Sequence, residues 1–323
     1  MNNKFIELRE ALEKGSKMLI ISHNRPDGDT TGANLALRLY LQKLSKDVTS
    51  ACADLPPEHF AFLPEVDKFV DEFLLEDFDT VVIVDAGARH LVRFFETYPE
   101  LGRTKKPIIC IDHHYSNDQF GTVNVIDPEE TSTTSLLFKY FKSQNIEIDQ
   151  QMATCLLNGI YTDTGSFMHS NTKAETMKMA SELMALGADI RSISKFNFQT
   201  TSANKLKLMG EVLSNIQYDY AEDRIISGVK NETLEKYNAT SDDLSGVVDF
   251  INSVPKARYT VLYTEDDHGG VKGSLRTRHD DVNVAKIAET FGGGGHSKAA
   301  GFRVHGRLAK DIQWQVTPEE KTS

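Results

Sequence analysis

Cysteine is scarce in this chain: three residues in 323, Cys52, Cys110 and Cys155, far apart and with no CxxC pair. Each sits in an apolar run, so a disulfide framework is excluded and buried free thiols in a reducing cytosol are expected. No run of eighteen apolar residues occurs, which removes any expected membrane span and points to a cytoplasmic protein. Positive charge is also short, with 36 Lys and Arg against 47 Asp and Glu, a formal net charge of −11. Long-range electrostatics therefore repel duplex DNA, and an anionic substrate must be small or be met by a local positive site. Internal repeats and low-complexity segments are absent.

What is present is ordinary globular material, 40% hydrophobic and 26% charged, with enough length for two separate cores. Four short β-branched runs punctuate the first half: KMLIISH (17–23), TVVIVDA (80–86), PIICIDHH (107–114) and TVNVIDP (122–128). They are continuous rather than alternating, which predicts strands covered on both faces. Helical patterns lie between and after them, among them TSTTSLLFKYFKSQ with Thr131 or Ser132 as its N-cap. Strand and helix in alternation predict a parallel α/β sheet.

From Thr172 to about Asn215 the pattern is helical and polar, as a connector between domains. Beyond it RIISGV, ARYTVLYTED and GGVKGSLRTR predict antiparallel strands, followed by a helix DVNVAKIAETF that ends in GGGG. Val284, Ile287 and Phe291 are expected on one face of that helix. The expected division is a parallel-sheet domain over 1–187, a helical linker over 188–215, a smaller α+β domain over 216–314 and a flexible tail over 315–323. The stretch after Arg307 is expected to add one short helix and then fray.

The ends of the first-half strands carry the chemistry: His23 with Asp27 and Asp29, then Asp85, then Asp112, His113 and His114. Carboxyl ends of neighbouring parallel strands converge on one crevice, so these groups can meet despite their separation. Asp163, before a glycine turn in TDTGSF, adds a further acid. So many carboxylates raise one another's pKa unless cations hold them together, and a mixed imidazole and carboxylate set suits Mn, Fe, Co or Zn rather than calcium. PDGD by itself reads as a turn and helix cap; it is the joint occurrence at strand ends that carries the metal reading. In the second half, GGGG with His296 lets backbone N–H groups approach a phosphate, and Arg276 supplies a planar fork for it.

HNRPDGD (23–29), Asp85 after its strand, DHH (112–114), TDTGSF (162–167) and GGGGHSKAAGF (292–302) together resemble the DHH phosphoesterase superfamily, in the expected order over nearly the whole chain. Within it the chain is similar to the standalone nanoRNase/pAp phosphatases. The resemblance implies a DHH catalytic domain and a DHH-associated substrate domain. It implies one divalent ion on His23, Asp27 and Asp85 and a second on Asp29, Asp85, His113 and Asp163, usually Mn²⁺ with Mg²⁺ or Co²⁺ accepted. It also implies that His114 and Asp112 act with Asp85 in catalysis, and that Ser274, Arg276, Thr277, Gly293, Gly294, Gly295 and His296 hold the substrate.

The implied reaction is hydrolysis of short oligoribonucleotides to mononucleotides and of pAp to AMP, with a homodimer allowed. Turnover of pApA or cyclic di-AMP is the alternative. A single-strand DNA exonuclease fits less well, given the short chain and its charge, and a purely RNA-binding role leaves six ligands without a purpose. Two departures stand out: DAGARHLVR offers Arg89 and Arg93 where relatives carry one arginine in another register, and Ser135 replaces a glutamate.

Overall fold

Three of the four apolar runs of the first half send alternate side chains into two buried layers, and the fourth, TVNVIDP, sends Val123 and Val125 into one of them. The computed structural model describes residues 1–198, 202–244, 246–266 and 269–309. In the first unit, Met1–Thr200, the strands are β1 (Lys17–Ser22), β2 (Asp47–Ala51), β3 (Phe69–Val70), β4 (Thr80–Val84), β5 (Ile108–Asp112) and β6 (Val123–Ile126). All neighbours pair in parallel, in the order β3-β2-β1-β4-β5-β6. The sequence reading missed β2 and β3, since DVTSA is half polar and β3 is only two residues long.

The helices of this unit are α1 (Asn2–Lys14), α2 (Gly28–Lys43), α3 (Phe94–Thr97), α4 (Thr133–Ser143), α5 (Gln150–Asp163), α6 (Ala174–Ala185) and α7 (Ile190–Phe198). Met18, Ile20, Val82, Val84, Ile109 and Ile111 enter the larger core, shared with α1, α2, α4, α5, α6 and α7. Leu19, Ile21, Val81 and Ile83 enter a smaller one closed by Val92, Phe94 and Leu101. Helix α2 is buried on nearly every side from Gly28 to Leu41, with Asp29, Thr30, Thr31 and Asn34 buried among its apolar residues rather than set on a solvent face.

The second unit, Thr201–Ser323, contains α8 (Ala203–Ser214), β7 (Gln217–Asp219), β8 (Arg224–Val229), α9 (Asn231–Lys236), α10 (Val247–Ile251), β9 (Tyr259–Glu265), β10 (Gly270–Arg276), α11 (Val284–Glu289), β11 (Gly294–Gly295) and β12 (Ala299–His305). Its sheet runs β11-β12-β10-β9-β8-β7. One expectation is corrected here: β8 and β9 pair in parallel, not antiparallel, because the chain between them crosses over through α9 and α10 instead of turning back in a hairpin. Leu208 and Val212 of α8 pack with Leu262 on one face, and Val284 and Ala288 of α11 with Val261 and Leu275 on the other.

The residues expected as a connector, 188–215, are shared between the units: Ile193 of α7 is buried in the first core, Leu208 and Val212 of α8 in the second. Of the face expected on α11, Val284 is buried, whereas Phe291 lies beyond the helix, about half exposed, and stacks on Phe302 at 4.4 Å. Cys52, Cys110 and Cys155 are free and buried. Among the described residues no helix is long and apolar enough to cross a membrane. The expected tail helix and the frayed end lie outside the described residues.

Candidate functional site

The strand order reverses between β1 and β4, and in an open parallel sheet that reversal opens a crevice beyond the strand ends. His23 follows β1 and Asp85 follows β4, so the two meet there. Asp85 has φ 56°, left-handed backbone that a residue other than glycine rarely adopts, and its side chain is 2% exposed. The turn aims the carboxylate across the strand ends, with Oδ2 3.6 Å from His23 Nε2 and Oδ1 3.6 Å from His113 Nε2.

Each histidine is oriented from behind. His23 Nδ1 donates to the Asn24 carbonyl at 2.7 Å, which turns Nε2 towards Asp85 and towards Asp27 Oδ1 at 4.0 Å. His113 Nδ1 faces the Glu130 carbonyl at 3.4 Å, and its Nε2 lies 3.8 Å from Asp163 Oδ2 and 3.9 Å from Asp29 Oδ2. Asp27 does two things: its Oδ1 caps α2 by accepting from the Asp29 and Thr30 amides, as the turn-and-cap reading expected, while standing beside His23. The ligand atoms of His23, Asp27 and Asp85 lie close enough to hold one ion, and so do those of Asp85, His113 and His114.

His114 differs from the other two. It also comes within 3.6 Å of Asp85, but through Nδ1, and that nitrogen hydrogen-bonds Asp112 Oδ1 at 2.7 Å. Asp112 is fully buried and accepts three further N–H groups: the amides of His113 and His114 at 2.8 and 3.2 Å and Asn117 Nδ2 at 2.7 Å. That bond, with Nδ1 as its donor, fixes the orientation of the His114 ring.

Helix α4 supplies partners that sequence reasoning did not find. Asp29 accepts from the Thr133 amide at 2.7 Å and from the Thr134 amide and hydroxyl at 3.0 and 2.6 Å, while the Thr133 hydroxyl donates to Asp85 at 2.9 Å. The first turn of a helix suits a carboxylate because its amides lack internal partners. The signal was the hydroxyl-rich TSTTS, which reads as a cap. Ser132 is indeed that cap, in a reciprocal pair with Ser135. The Ser135 departure is thereby explained: serine takes the capping role usual for glutamate, and its hydroxyl reaches Glu130, which Lys139 also holds.

The close crossing of α2 and α5 brings Asp29 and Asp163 together. A Cβ on Gly159 would lie 2.3 Å from Thr134 Oγ1 and 2.5 Å from Asp29 Oδ1, so only glycine fits there. Burial, followed by the charges of Asp85 and Asp27, holds the Asp29 carboxyl well above its ordinary range; burial and Asp29 do the same to Asp163. Burial alone would lift Asp85 too, but hydrogen bonding from His23 and the charges of His113 and His23 hold it low. Burial pulls His23 and His114 down, yet Asp85 for the first and Asp112 with Asp85 for the second outweigh it and raise both to about 9. Two histidines facing carboxylates that repel one another fit a divalent cation pair in donor type and in charge.

Both arginines of DAGARHLVR have partners. Arg93 makes a two-pronged bond to Asp54 at 3.0 and 3.1 Å, and Asp54 also accepts the Arg25 amide, which ties down the loop between His23 and Asp27. Arg89 lies over the Phe95 ring at 4.9 Å.

In the second unit, Ser274 and Gly294 both sit opposite Gly301 of β12, and Arg276 sits opposite Ala299, beside the turn that carries His296. Ser274, Arg276, Gly293, Gly294, Gly295 and His296 therefore share one region of the sheet. A Cβ on Gly293 would lie 2.2 Å from the Gly301 carbonyl, whereas one on Gly294 would meet nothing within 4 Å. Thr277, just beyond β10, is buried, and its hydroxyl donates to the Arg258 carbonyl at 2.6 Å while accepting the His279 amide at 3.1 Å.

Residues 17–160 match the model of the DHH family, N-terminal domain, and residues 225–314 that of the DHHA1 domain. The bifunctional oligoribonuclease and PAP phosphatase NrnA of Thermus thermophilus is 30% identical over 301 residues, 93% of this chain and 87% of the relative. The Bacillus subtilis protein of the same description is 25% identical over 304 residues, 93% of each. The crystal structure of an exopolyphosphatase-related protein from Bacteroides fragilis superposes with a TM-score of 0.86 at 25% identity, covering 95% of this chain and 93% of that one. With these matches spanning both units, the chain belongs to the DHH family and carries a DHHA1 domain.

Proposed function

We propose that this chain is a two-metal phosphoesterase that hydrolyses short oligoribonucleotides to mononucleotides and pAp to AMP, in the cytoplasm. The observation that carries the reading is Asp85, whose two carboxylate oxygens each face a different histidine at 3.6 Å. His23, Asp27 and Asp85 would hold one ion and Asp29, Asp85, His113 and Asp163 the other. Mn²⁺ suits these donors, with Mg²⁺ or Co²⁺ as substitutes. Such a pair, when bound, supplies an activated water and clamps the phosphoryl oxygens during displacement.

The protein's own part is positioning. Thr133 and Thr134 fix the carboxylates of Asp85 and Asp29. Asp112 holds the His114 imidazole so that Nε2 can donate to the phosphate as negative charge builds on it. Arg276, His296 and the Gly293–Gly295 backbone would grip a terminal phosphate, with Ser274 beside them. That local anchor allows an acidic chain to catch a short polyanion. Relatives described as oligoribonuclease and PAP phosphatase support this substrate class.

Asp85→Ala tests the reading. In a Mn²⁺-dependent panel of pAp, pApA, cyclic di-AMP, RNA two-mers to seven-mers and pyrophosphate, turnover of every substrate should fall by at least about 10³-fold, the scale seen when a key charge-stabilising group is removed. Appreciable Mn²⁺-dependent activity in that variant would sink the assignment, and a wild-type preference for cyclic di-AMP over pAp and RNA would redirect it.

A further inference from the structure

Arg276 is held at two points. Its Nε donates to Asp249 Oδ1 at 2.9 Å and its Nη1 to the Leu275 carbonyl at 3.0 Å. A guanidinium has five N–H donors, so three remain, including both on Nη2, and among the described residues those three have no protein partner. The backbone of Arg276 is already fixed, since β10 pairs with β9 on one side and β12 on the other. What Asp249 adds is the direction in which the guanidinium points.

The carrier of Asp249 is also fixed. Helix α10 buries Val247, Val248 and Ile251 in the core that includes Leu208 and Val212, so the carboxylate stands on a packed frame. The side chains of Arg276 and Asp249 are 29% and 38% exposed. A pair this open to water contributes little to stability, and its charge on an approaching phosphate is damped. A hydrogen bond that sets an angle is not damped in that way.

We propose that Asp249 is a positioning residue that holds the Arg276 fork by its Nε edge, so that the free Nη donors meet the terminal phosphate of the substrate. This rests on Arg276 being the phosphate anchor. It makes affinity for terminally phosphorylated nucleotides depend on a carboxylate that never touches them.

Steady-state kinetics of the full chain with Mn²⁺ test it, using pAp and bis-p-nitrophenyl phosphate, which has no terminal phosphate. Asp249→Ala should raise KM for pAp about tenfold with kcat nearly steady, the scale of one charge-assisted hydrogen bond, and lower the pAp to bis-p-nitrophenyl phosphate ratio of kcat/KM to match. Asp249→Asn keeps an acceptor for Nε and should restore most of the loss. In the double variant with Arg276→Ala, the Asp249 change should add nothing further.

An unchanged or lower KM in Asp249→Ala overturns the proposal, as does an equal loss in Asp249→Asn or full additivity in the double variant. If Asp249→Ala fails to fold, Asp249→Ser carries the same expectation. Should Arg276→Ala alone leave KM for pAp unmoved, the anchor reading itself fails; if it raises KM while Asp249→Ala does not, only the role of Asp249 is lost.

Discussion

The two chemically loaded regions of this molecule are built in opposite ways. Around Asp85, each group is fixed by another: Asp29 by three donors on α4, Asp112 by four, His23 and His113 by backbone carbonyls. Along β10 and β11, the candidate residues are half exposed or exposed, and at Gly294 the backbone stands open, with nothing within 4 Å of an added Cβ. The difference follows from what each must do. A cluster of buried carboxylates needs rigid compensation, whereas a surface proposed to grip a terminal phosphate needs access and a few well-aimed donors.

The contrast can be broken most forcefully at Asp112. Asp112→Ala strips the acceptor from two amides, His114 and Asn117, and kcat should fall about 10³-fold with KM nearly unchanged, as for other orienting carboxylates behind a histidine. A drop of less than about tenfold would mean that His114 holds its place unaided.

Matched glycine substitutions come next. Gly159→Ala drives a methyl group into Thr134 and Asp29, so kcat should fall about 10- to 100-fold, the scale of a misplacement near 1 Å. Metal titration by calorimetry should show weakened Mn²⁺ binding in the same variant.

A pH series on EDTA-treated protein is subtler. His23 and His114, raised to about 9, keep protons that the unfolded chain releases near pH 6.5, so their stabilisation is complete below about 6.5 and lost as pH climbs through 9. Asp29 and Asp163, held above their ordinary range, act with the same sign; Asp85, held low, is ionised in both states across this window and adds no slope. The melting temperature should therefore fall from pH 6.5 to 9, and added Mn²⁺ should flatten the decline. A flat profile without metal would show that the cluster is not electrostatically strained.

The smallest effect is expected at Gly294. Alanine there meets no neighbour, so the melting temperature should hold within about a degree or two or rise slightly, while KM for pAp rises a few-fold because the methyl group screens the backbone amides. If Gly294→Ala lowers stability as much as Gly159→Ala, the two regions are not built differently.

The sequence made the candidate ligands legible because they stand at the ends of continuous apolar runs, where a parallel sheet gathers side chains from distant positions. His23, Asp85 and His113 are examples. Thr133, Thr134 and Asn117 stayed hidden, since a backbone amide has no signature and a threonine 104 residues from Asp29 reads as a cap. Pairing direction was equally silent: RIISGV looks the same beside a parallel or an antiparallel neighbour, and only the path through α9 and α10 decides. Thr277 looked like part of a binding strand, and its bond to the Arg258 carbonyl depends on a fold that the local residues do not reveal.

The strand order has a consequence for how the protein is made. Its candidate metal donors run from His23 to Asp163, and the last comes from the end of α5. A ribosome must therefore release about half of the chain before the donor set that includes Asp163 is complete, and the first unit can complete its candidate site while the second is still being synthesised. Once enclosed, the cation stabilises only the folded state, so its supply during translation would set how firmly the nascent half holds its shape.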